Sequence, residues 1–209
     1  MASEARRLIP SIGLLATAER PRTVDVLARA FRDNPLNVAV VGTRNPRRRL
    51  RSNTFGTRTL LPVAAAHGEV WVAREGNRVV GALIGTPPHA YPLPPPPLAA
   101  RLRCLVGQGW RVARCWAEVF QALDVLHPVE PHWYLGTLGV DPDHQGRGIG
   151  TALLRHWLAH AAGDASGAYL ETDLRGNVGF YQRQGFAVER ETRVLGVRVW
   201  CMRRPPATR

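Results

Sequence analysis

The chain has 209 residues, 45% of them hydrophobic, which is enough for one domain with its own core. No apolar run approaches the roughly 20 residues of a membrane helix, so we expect no membrane span. The three cysteines lack metal or disulfide-framework spacing, and the net charge of +12 comes from arginine without any lysine. We therefore predict a single domain over 1–209, cytoplasmic, with reduced thiols and no metal.

The first part of the chain is predicted to hold two helices and a hairpin. Apolar residues recur at helical spacing in Thr23–Asp33, which Asn34-Pro35 ends. Residues Pro46–Ala66 form a second, less regular helical region. Alternating apolar residues predict strands at Glu69–Glu75 and Arg78–Gly85, joined by a tight turn.

A cluster of arginines makes nucleic acid a partner to consider. It comprises Arg44, Arg47, Arg48, Arg49 and Arg51. No aromatic residues are interleaved with it, and an arginine-rich, lysine-free composition is typical of GC-rich coding. We favour a solvated face and expect no nucleic-acid binding. A nucleic-acid-binding regulator remains the rival from another functional class, and it predicts affinity that falls steeply with salt.

The middle of the chain is a proline-rich loop followed by a long helical stretch. Thr86–Pro97 cannot form an ordinary helix or central strand, so we expect a stiff loop that serves as a spacer or a lid. Leu98–Leu126 is predicted as a helix with one apolar side, formed by Leu102, Leu105, Val106, Trp110, Ala113, Trp116, Ala117 and Phe120. Gly107 and Gly109 are positions where it can divide.

The last third alternates strands and helices. The predicted strands are Trp133–Val140, Ala168–Asp173, Phe186–Glu191 and Val194–Met202, and the predicted helices are Gly148–Ala162 and Gly176–Gln184. Arg203–Arg209 is predicted as a frayed tail. His156 and His160 lie at a metal-binding spacing, but no third ligand stands out, and a half-packed helix face is the interpretation we favour.

A glycine-rich turn between a strand and a helix is the most informative segment. Gly146, Gly148 and Gly150 leave main-chain N–H groups uncovered where a helix begins, which is typical of a phosphate site. The absence of lysine excludes a P-loop, and the alternate spacing differs from the dinucleotide fingerprint. We expect this turn to hold a phosphate-bearing ligand.

The turn and its neighbours resemble the GNAT superfamily of acyl-CoA-dependent N-acetyltransferases. That family's pattern Gln/Arg-x-x-Gly-x-Gly/Ala is met by residues 145–150. The resemblance extends to Leu138-Gly139-Val140, to Tyr169–Asp173, and to Asn177-x-x-Phe180-Tyr181-x-x-x-Gly185-Phe186. Within the superfamily the latter half is most similar to puromycin N-acetyltransferases, whereas 44–130 matches them poorly.

The resemblance implies a fold and a donor substrate. The fold is α/β (α+β), with a mixed, mainly antiparallel sheet of about seven strands and helices on both faces. Acetyl-CoA would bind in about 132–204, and acceptor-side elements would occupy about 21–130. The cofactor-binding residues implied are Leu138, Gly139, Val140, Gln145, Gly146, Arg147, Gly148, Ile149, Gly150, Thr151 and Asn177.

The resemblance also implies catalytic roles. Glu171 is the candidate base for an ammonium substrate, with Asp173 or water in reserve; its structural alternative is a pairing with Arg175 or a loop cap. Tyr181 matches the family's general acid for the departing thiolate, and its structural alternative is a core tyrosine. Asn177 would bond the pantetheine arm, or merely cap a helix.

The predicted function is transfer of acetyl from acetyl-CoA to a primary amine of a small molecule, by direct attack. The alternatives are a protein or peptide N-acetyltransferase, a non-catalytic acyl-CoA sensor, and the nucleic-acid-binding regulator. The sequence leaves the acceptor open and allows either a monomer or a homodimer.

Overall fold

A computed structural model describes residues 10–163 and 166–206. It contains a seven-stranded sheet of order β1-β2-β3-β4-β5-β7-β6, in which only the β4–β5 pair is parallel. The strands are Ser11–Leu14 (β1), Glu69–Glu75 (β2), Arg78–Thr86 (β3), His132–Val140 (β4), Gly167–Thr172 (β5), Ala187–Val194 (β6) and Val197–Arg204 (β7). The helices are Arg20–Ala30 (α1), Pro35–Val41 (α2), Pro46–His67 (α3), Leu98–Gln108 (α4), Trp110–Asp124 (α5), Ile149–Ala161 (α6) and Arg175–Gln182 (α7).

Helices cover both faces of the sheet, as predicted. On one face α6 buries Leu153, Leu154 and Trp157 completely. On the other face α1 buries Val26 and Leu27 against β2 and β3. Burial of large apolar side chains at this level contributes about 1.5–3 kcal/mol each, so the sheet is held firmly from both sides. The fold class expected from the sequence is confirmed.

Two elements near the start of the chain were not predicted. The first helix ends at Ala30, before the Asn34-Pro35 pair that was expected to end it. That pair instead begins α2, because the Asn34 side chain accepts a hydrogen bond from the Asn37 N–H at 3.4 Å and proline suits the first helical position. The strand β1 has only four residues and pairs with β2 at the sheet edge. A four-residue, half-exposed strand gives too weak a pattern to be recognised.

The proline loop and the long helix are largely as predicted, with one correction. The helix divides at Gly109, whose φ is +87°, into α4 and α5. On the predicted apolar side, Val106 and Trp110 are 85% and 68% exposed. Trp116 of that side packs with Val112 and Val119 of α5 against Val194 and Val199 of the sheet. Apolar spacing predicted a helix correctly but did not show which of its apolar residues would be buried.

The end of the chain also needs a correction. The strand β7 continues through Arg203 and Arg204, which were predicted as the start of a frayed tail, and Arg203 pairs with Tyr169 and Ala187. Residues 207–209 of that predicted tail lie outside the described residues. The β6–β7 turn is Leu195-Gly196, both at positive φ, and leucine gives no signal for such a turn.

The feature that positions the site is the separation of β4 from β5. The two strands pair only through His132–Tyr134 and 167–169. Beyond that point β4 stays with β3, across an irregularity opposite Ile84 and Gly85 that leaves Gly136 as the extra residue. A bulge bends its strand, so 135–140 diverge from β5 and expose unpaired backbone groups.

Candidate active site

A cavity of about 480 Å³ lies where β4 and β5 separate. Its walls come from β4, from the glycine turn with the start of α6, and from the end of β5 with α7. Twelve of the thirteen predicted site residues line it: Leu138, Gly139, Val140, Gln145, Gly146, Gly148, Ile149, Gly150, Thr151, Glu171, Asn177 and Tyr181. Segments that are distant in sequence therefore meet at one opening.

The exception is Arg147. Its side chain is 56% exposed and lies 3.9 Å from Glu75, while its guanidinium donates to the Asp143 carbonyl at 3.1 Å. The cofactor-binding role predicted for Arg147 thus has no support from the cavity walls. Its side chain ties the outer edge of the turn to the preceding residues.

The turn needs glycine at two positions for its own geometry. Gly146 and Gly148 have φ of +74° and +83°, in the left-handed region that side chains rarely occupy. Gly150 differs, because it lies within α6 and an added Cβ would make only an ordinary 3.6 Å contact with Val140. Nothing in the described protein requires glycine at 150, whereas a ligand that approaches the backbone closely would.

The start of α6 supplies the anion-binding groups. The first bond closed inside the helix is Ala152 N–H to the Gly148 carbonyl, at 2.9 Å. The N–H groups of residues 149–151 therefore have no partner within their own helix, and they lie at the positive end of its dipole. This arrangement suits the pyrophosphate of acetyl-CoA.

The turn is anchored by a buried carboxylate. Asp141 is fully buried and receives the guanidinium of Arg22 together with that of Arg29, the latter at 3.2 Å. Gln145 donates its side-chain N–H to the Val140 carbonyl at 3.1 Å. The two arginines fix the end of β4 relative to α1, and the Gln145 contact fixes the turn relative to that strand end.

Tyr181 lies on α7, 7% exposed, among the apolar residues of the main core. Burial, followed by the charge of Asp173, raises the pKa of its hydroxyl above the ordinary value. The hydroxyl therefore keeps its proton at neutral pH. A protonated hydroxyl at the cavity wall is a suitable proton donor for a departing thiolate.

Glu171 lies at the end of β5, in the wall that also contains Tyr181, with its side chain 6% exposed. Its Oε1 is 3.3 Å from His127 Nε2, and Tyr134 packs beside the same ring. Burial, followed by the charge of Glu171, raises the pKa of Tyr134 well above its usual value. Neither structural alternative, a pairing with Arg175 or a loop cap, describes this environment.

Asp173 has different surroundings from those expected of a reserve base, whereas Asn177 lines the cavity. Asp173 accepts the Asn34 side-chain N–H and the Leu36 backbone N–H, both at 2.7 Å, so it ties β5 to the start of α2. Those two donors occupy the carboxylate that was held in reserve as a base. Asn177 is the third residue of α7 and lines the cavity, while Leu174 occupies the cap position.

Sequence reasoning missed a group of aromatic and histidine side chains around Glu171. Tyr91 of the proline loop stacks on His127 at 4.1 Å, and His132 and Tyr169 lie against the same histidine. The parallel pairing of β4 with β5 brings these residues together, and no local pattern signals it. The clustering of two histidines near a predicted strand start was the one available sign.

Other predicted features have ordinary structural roles. His160 bonds Glu69 at 2.8 Å, and His156 packs edge-on against Trp71. Within residues 10–163 and 166–206, no group of three or more metal-ligating side chains is arranged to hold an ion. Across the same residues, no helix is both long and apolar enough to span a membrane. Of the five clustered arginines, Arg49 is bonded to Asp33 and to two backbone carbonyls.

Comparison with known proteins identifies a family. The model of the acetyltransferase (GNAT) family matches residues 43–186. The N-alpha-acetyltransferase RimI of Mycobacterium tuberculosis is 40% identical over 72 residues. That match covers 32% of this chain and 46% of the relative, so it spans about half the length of this curated protein.

Solved structures share the fold over nearly the whole chain. One is the histone acetyltransferase HPA2 and related acetyltransferase from Corynebacterium glutamicum, 25% identical, with a TM-score of 0.73 and coverage of 97% of this chain and 99% of that one. Another is a GNAT family acetyltransferase from Brucella melitensis in complex with acetyl-CoA, 20% identical, with a TM-score of 0.52 and coverage of 96% and 91%.

Proposed function

We propose a function for this chain from one premise: it belongs to the acetyltransferase (GNAT) family. The resemblance inferred from its motifs is confirmed at that level, and so is acetyl-CoA as the family's donor substrate. The specific likeness to puromycin N-acetyltransferases stays a hypothesis. The curated relative with the 72-residue match is a RimI protein.

The proposed reaction is transfer of the acetyl group from acetyl-CoA to a primary amine by direct attack, without a covalent enzyme intermediate. One observation carries it: a buried carboxylate, Glu171, and a buried tyrosine, Tyr181, line the same cavity as the phosphate cradle. A base, an acid and a thioester-binding groove are the parts that direct aminolysis needs. No described cysteine lines this cavity.

Each group in the cavity has a separate role in the proposed reaction. Backbone N–H groups at the start of α6 hold the pyrophosphate, and Asn177 bonds the pantetheine arm. The Val140 N–H polarises the thioester carbonyl; losing such a donor costs on the order of 3 kcal/mol in comparable acyl transfers. Glu171 removes a proton from the ammonium group, and Tyr181 protonates the thiolate. Acetyl-CoA supplies the acetyl thioester.

We propose a small-molecule amine as the acceptor. Glu171 lines a cavity of about 480 Å³, so the acceptor has to place a primary amine beside its carboxylate there. The similarity of the latter half to puromycin N-acetyltransferases supports an aminonucleoside or a related antibiotic-like amine.

A protein or peptide N-terminus is the second candidate, favoured by the name of the curated relative, an N-alpha-acetyltransferase. An α-amine at the end of a flexible chain would also reach Glu171. The two candidates differ in what the enzyme must recognise beyond the amine, and a side-by-side assay separates them.

Calorimetry with acetyl-CoA, followed by measurement of CoA thiol release, tests the proposal. The panel should hold puromycin, polyamines and N-terminal peptides at equal amine concentration. We expect acetyl-CoA binding and release that depends on a small amine. No binding would overturn the function, and release with peptides only would replace the acceptor. Binding without turnover on any amine would favour the acyl-CoA sensor.

A further inference from the structure

A line of polar contacts runs from Glu171 away from the cavity. His127 Nε2 lies 3.3 Å from Glu171 Oε1, and His127 Nδ1 lies 3.2 Å from His132 Nε2. His132 Nδ1 then lies 2.8 Å from the Glu130 carbonyl oxygen. The Glu171 and His127 side chains are each 6% exposed, and His132 is 5% exposed, so bulk water does not compete for these contacts.

The carbonyl at the far end fixes which nitrogens carry hydrogen. A carbonyl only accepts, so His132 must hold its proton on Nδ1. Burial lowers the pKa of His132 and keeps its ring neutral, which leaves Nε2 as an acceptor. His127 must therefore carry hydrogen on Nδ1 in order to donate to it. The Glu130 carbonyl thus determines which ring nitrogen donates in His132 and, through it, in His127.

The contact between His127 Nε2 and Glu171 Oε1 can accommodate one added proton. With hydrogen on Nδ1, a neutral His127 carries a lone pair on Nε2, which lies 3.3 Å from Glu171 Oε1 but outside hydrogen-bond geometry. Oε1 of Glu171 is buried and has no hydrogen-bond partner among the described residues, while the hydroxyls of Tyr134 and Tyr169 lie close enough to donate to the carboxylate. Two acceptors this close in a buried site repel, and one added proton replaces the repulsion between them with attraction.

We propose that His127 is a positioning residue that, through its Nε2, shares with Glu171 the proton taken from the amine substrate. The inference rests on the proposed function and extends it to a second residue. The ammonium gives one proton to Glu171, the C–N bond forms as the C–S bond breaks, and the thiolate is protonated through Tyr181. The nitrogen's second proton replaces the one lost by Tyr181. The proton held by Glu171 and His127 leaves to solvent after product release.

Other titratable groups around this pair do not compete for the proton. They are Tyr91 from the proline loop, Asp124 of α5, Tyr134 of β4, Tyr169 of β5, and Cys201 and Arg203 of β7. Burial is the largest cause of the raised pKa of each of the three tyrosines and of the cysteine, so all four stay protonated at neutral pH. Tyr91 donates to Asp124 at 2.8 Å while its ring stacks on His127.

A matched pair of variants tests the role kinetically. His127→Gln places an amide N–H, instead of a lone pair, against Glu171, so the carboxylate holds a proton less tightly. The acidic limb of kcat/KM for the amine should move to lower pH by about one unit or more. His132→Gln keeps an acceptor for His127 and should leave that limb in place, whatever its effect on the plateau. An unmoved limb in His127→Gln would overturn the proposal.

Ring-nitrogen NMR of the histidines in the free protein tests it without any turnover. Neutral His132 and His127 should both carry hydrogen on Nδ1. Protonation of His127 Nε2 should occur at a pH higher by about one unit or more in the wild type than in Glu171→Gln, whose amide donates to it. Hydrogen on Nε2 of neutral His127, or identical titrations, would refute the shared proton. The expected NMR result in a protein that acetylates no amine would instead refute the proposed function.

Discussion

Two parts of the cavity, the proposed donor wall and the proposed acceptor wall, differ in composition. The proposed donor wall holds the backbone N–H groups of 149–151, and in its turn only Gly146 and Gly148 have a conformation that demands their residue type. On the proposed acceptor wall Glu171 lines the cavity, and side chains from the proline loop, β4 and β5 pack behind it. A backbone site is specified by local sequence, whereas a side-chain cluster exists only after distant segments have met.

This difference also shows in the surroundings. The start of α6 packs onto a core that includes the fully buried Leu153 and Trp157. After the proline loop, α4 has no buried residue among those described, and Val106 is 85% exposed. The core therefore supports the donor wall, whereas α4 contributes little to it and the buried side chains of this part of the chain belong to α5. Substitutions in these regions should therefore differ in the size of their effects.

The largest effect is expected at the acceptor wall. Glu171→Gln removes the proposed base while keeping its shape, so kcat should fall by roughly 10²–10⁴ with little change in the KM for acetyl-CoA. Steady-state kinetics at saturating amine checks this. The matched control is Glu189→Gln, whose side chain is 49% exposed on β6 and which should retain full activity. A loss of less than about tenfold would mean that water or another group is the base.

The second-largest effect is expected at Tyr181 of α7. Tyr181→Phe should lower kcat by roughly a hundredfold while acetyl-CoA still binds, because only proton donation to the thiolate is removed. Calorimetry of acetyl-CoA binding and a thermal melt serve as controls for the site and the fold. Undiminished turnover would show that Tyr181 is only a core residue. Catalysis would then rest on the acceptor wall alone.

A smaller effect is expected in the donor cradle. Gly150→Ala adds a Cβ that meets only Val140, at 3.6 Å, so stability should hold or rise slightly. The KM for acetyl-CoA should nevertheless rise, by roughly tenfold, because a methyl group obstructs close approach to the backbone. Gly176→Ala in the first turn of α7, where an added Cβ meets no atom within 4 Å, is the control. Equal acetyl-CoA affinity in the two variants would contradict the cradle's assignment.

The smallest effect is expected on α4. Val106→Ser should change the free energy of unfolding by less than about 0.5 kcal/mol, whereas Leu153→Ala, at a fully buried position, should cost about 2–5 kcal/mol. Chemical denaturation measures both. A loss above about 1 kcal/mol for Val106→Ser would show that this face is covered in solution, and sedimentation would then tell whether a second copy covers it.

The sequence was sufficient to predict much of the donor side. The strand ending at Val140, the turn and α6 follow one another, so their spacing, glycines and apolar periodicity determine the site locally. The placement of Asn177 and Tyr181 came from the family motif rather than from periodicity. The exposed side chain of Arg147 shows that a motif position need not face the ligand.

The acceptor side was not predictable in the same way. The partner of Glu171, His127, precedes it by more than forty residues and reaches it only because β4 lies parallel to β5. Tyr91 belongs to the proline loop, and the prolines predicted a stiff segment but not the contact of Tyr91 with His127. Apolar spacing in α4 likewise predicted a helix without revealing that its apolar side would stay exposed. These features depend on tertiary pairing, which single-sequence patterns do not encode.

The most direct test of the central claim is mass spectrometry of the amine after incubation with isotope-labelled acetyl-CoA. Wild-type protein should transfer the labelled acetyl group to a primary amine, and Glu171→Gln should bind acetyl-CoA equally well but form product at a rate lower by roughly 10²-fold or more. Acetylation at equal rates by both proteins, or no labelled product from any amine in the panel, would contradict the assignment of this cavity as an acetyl-transfer site.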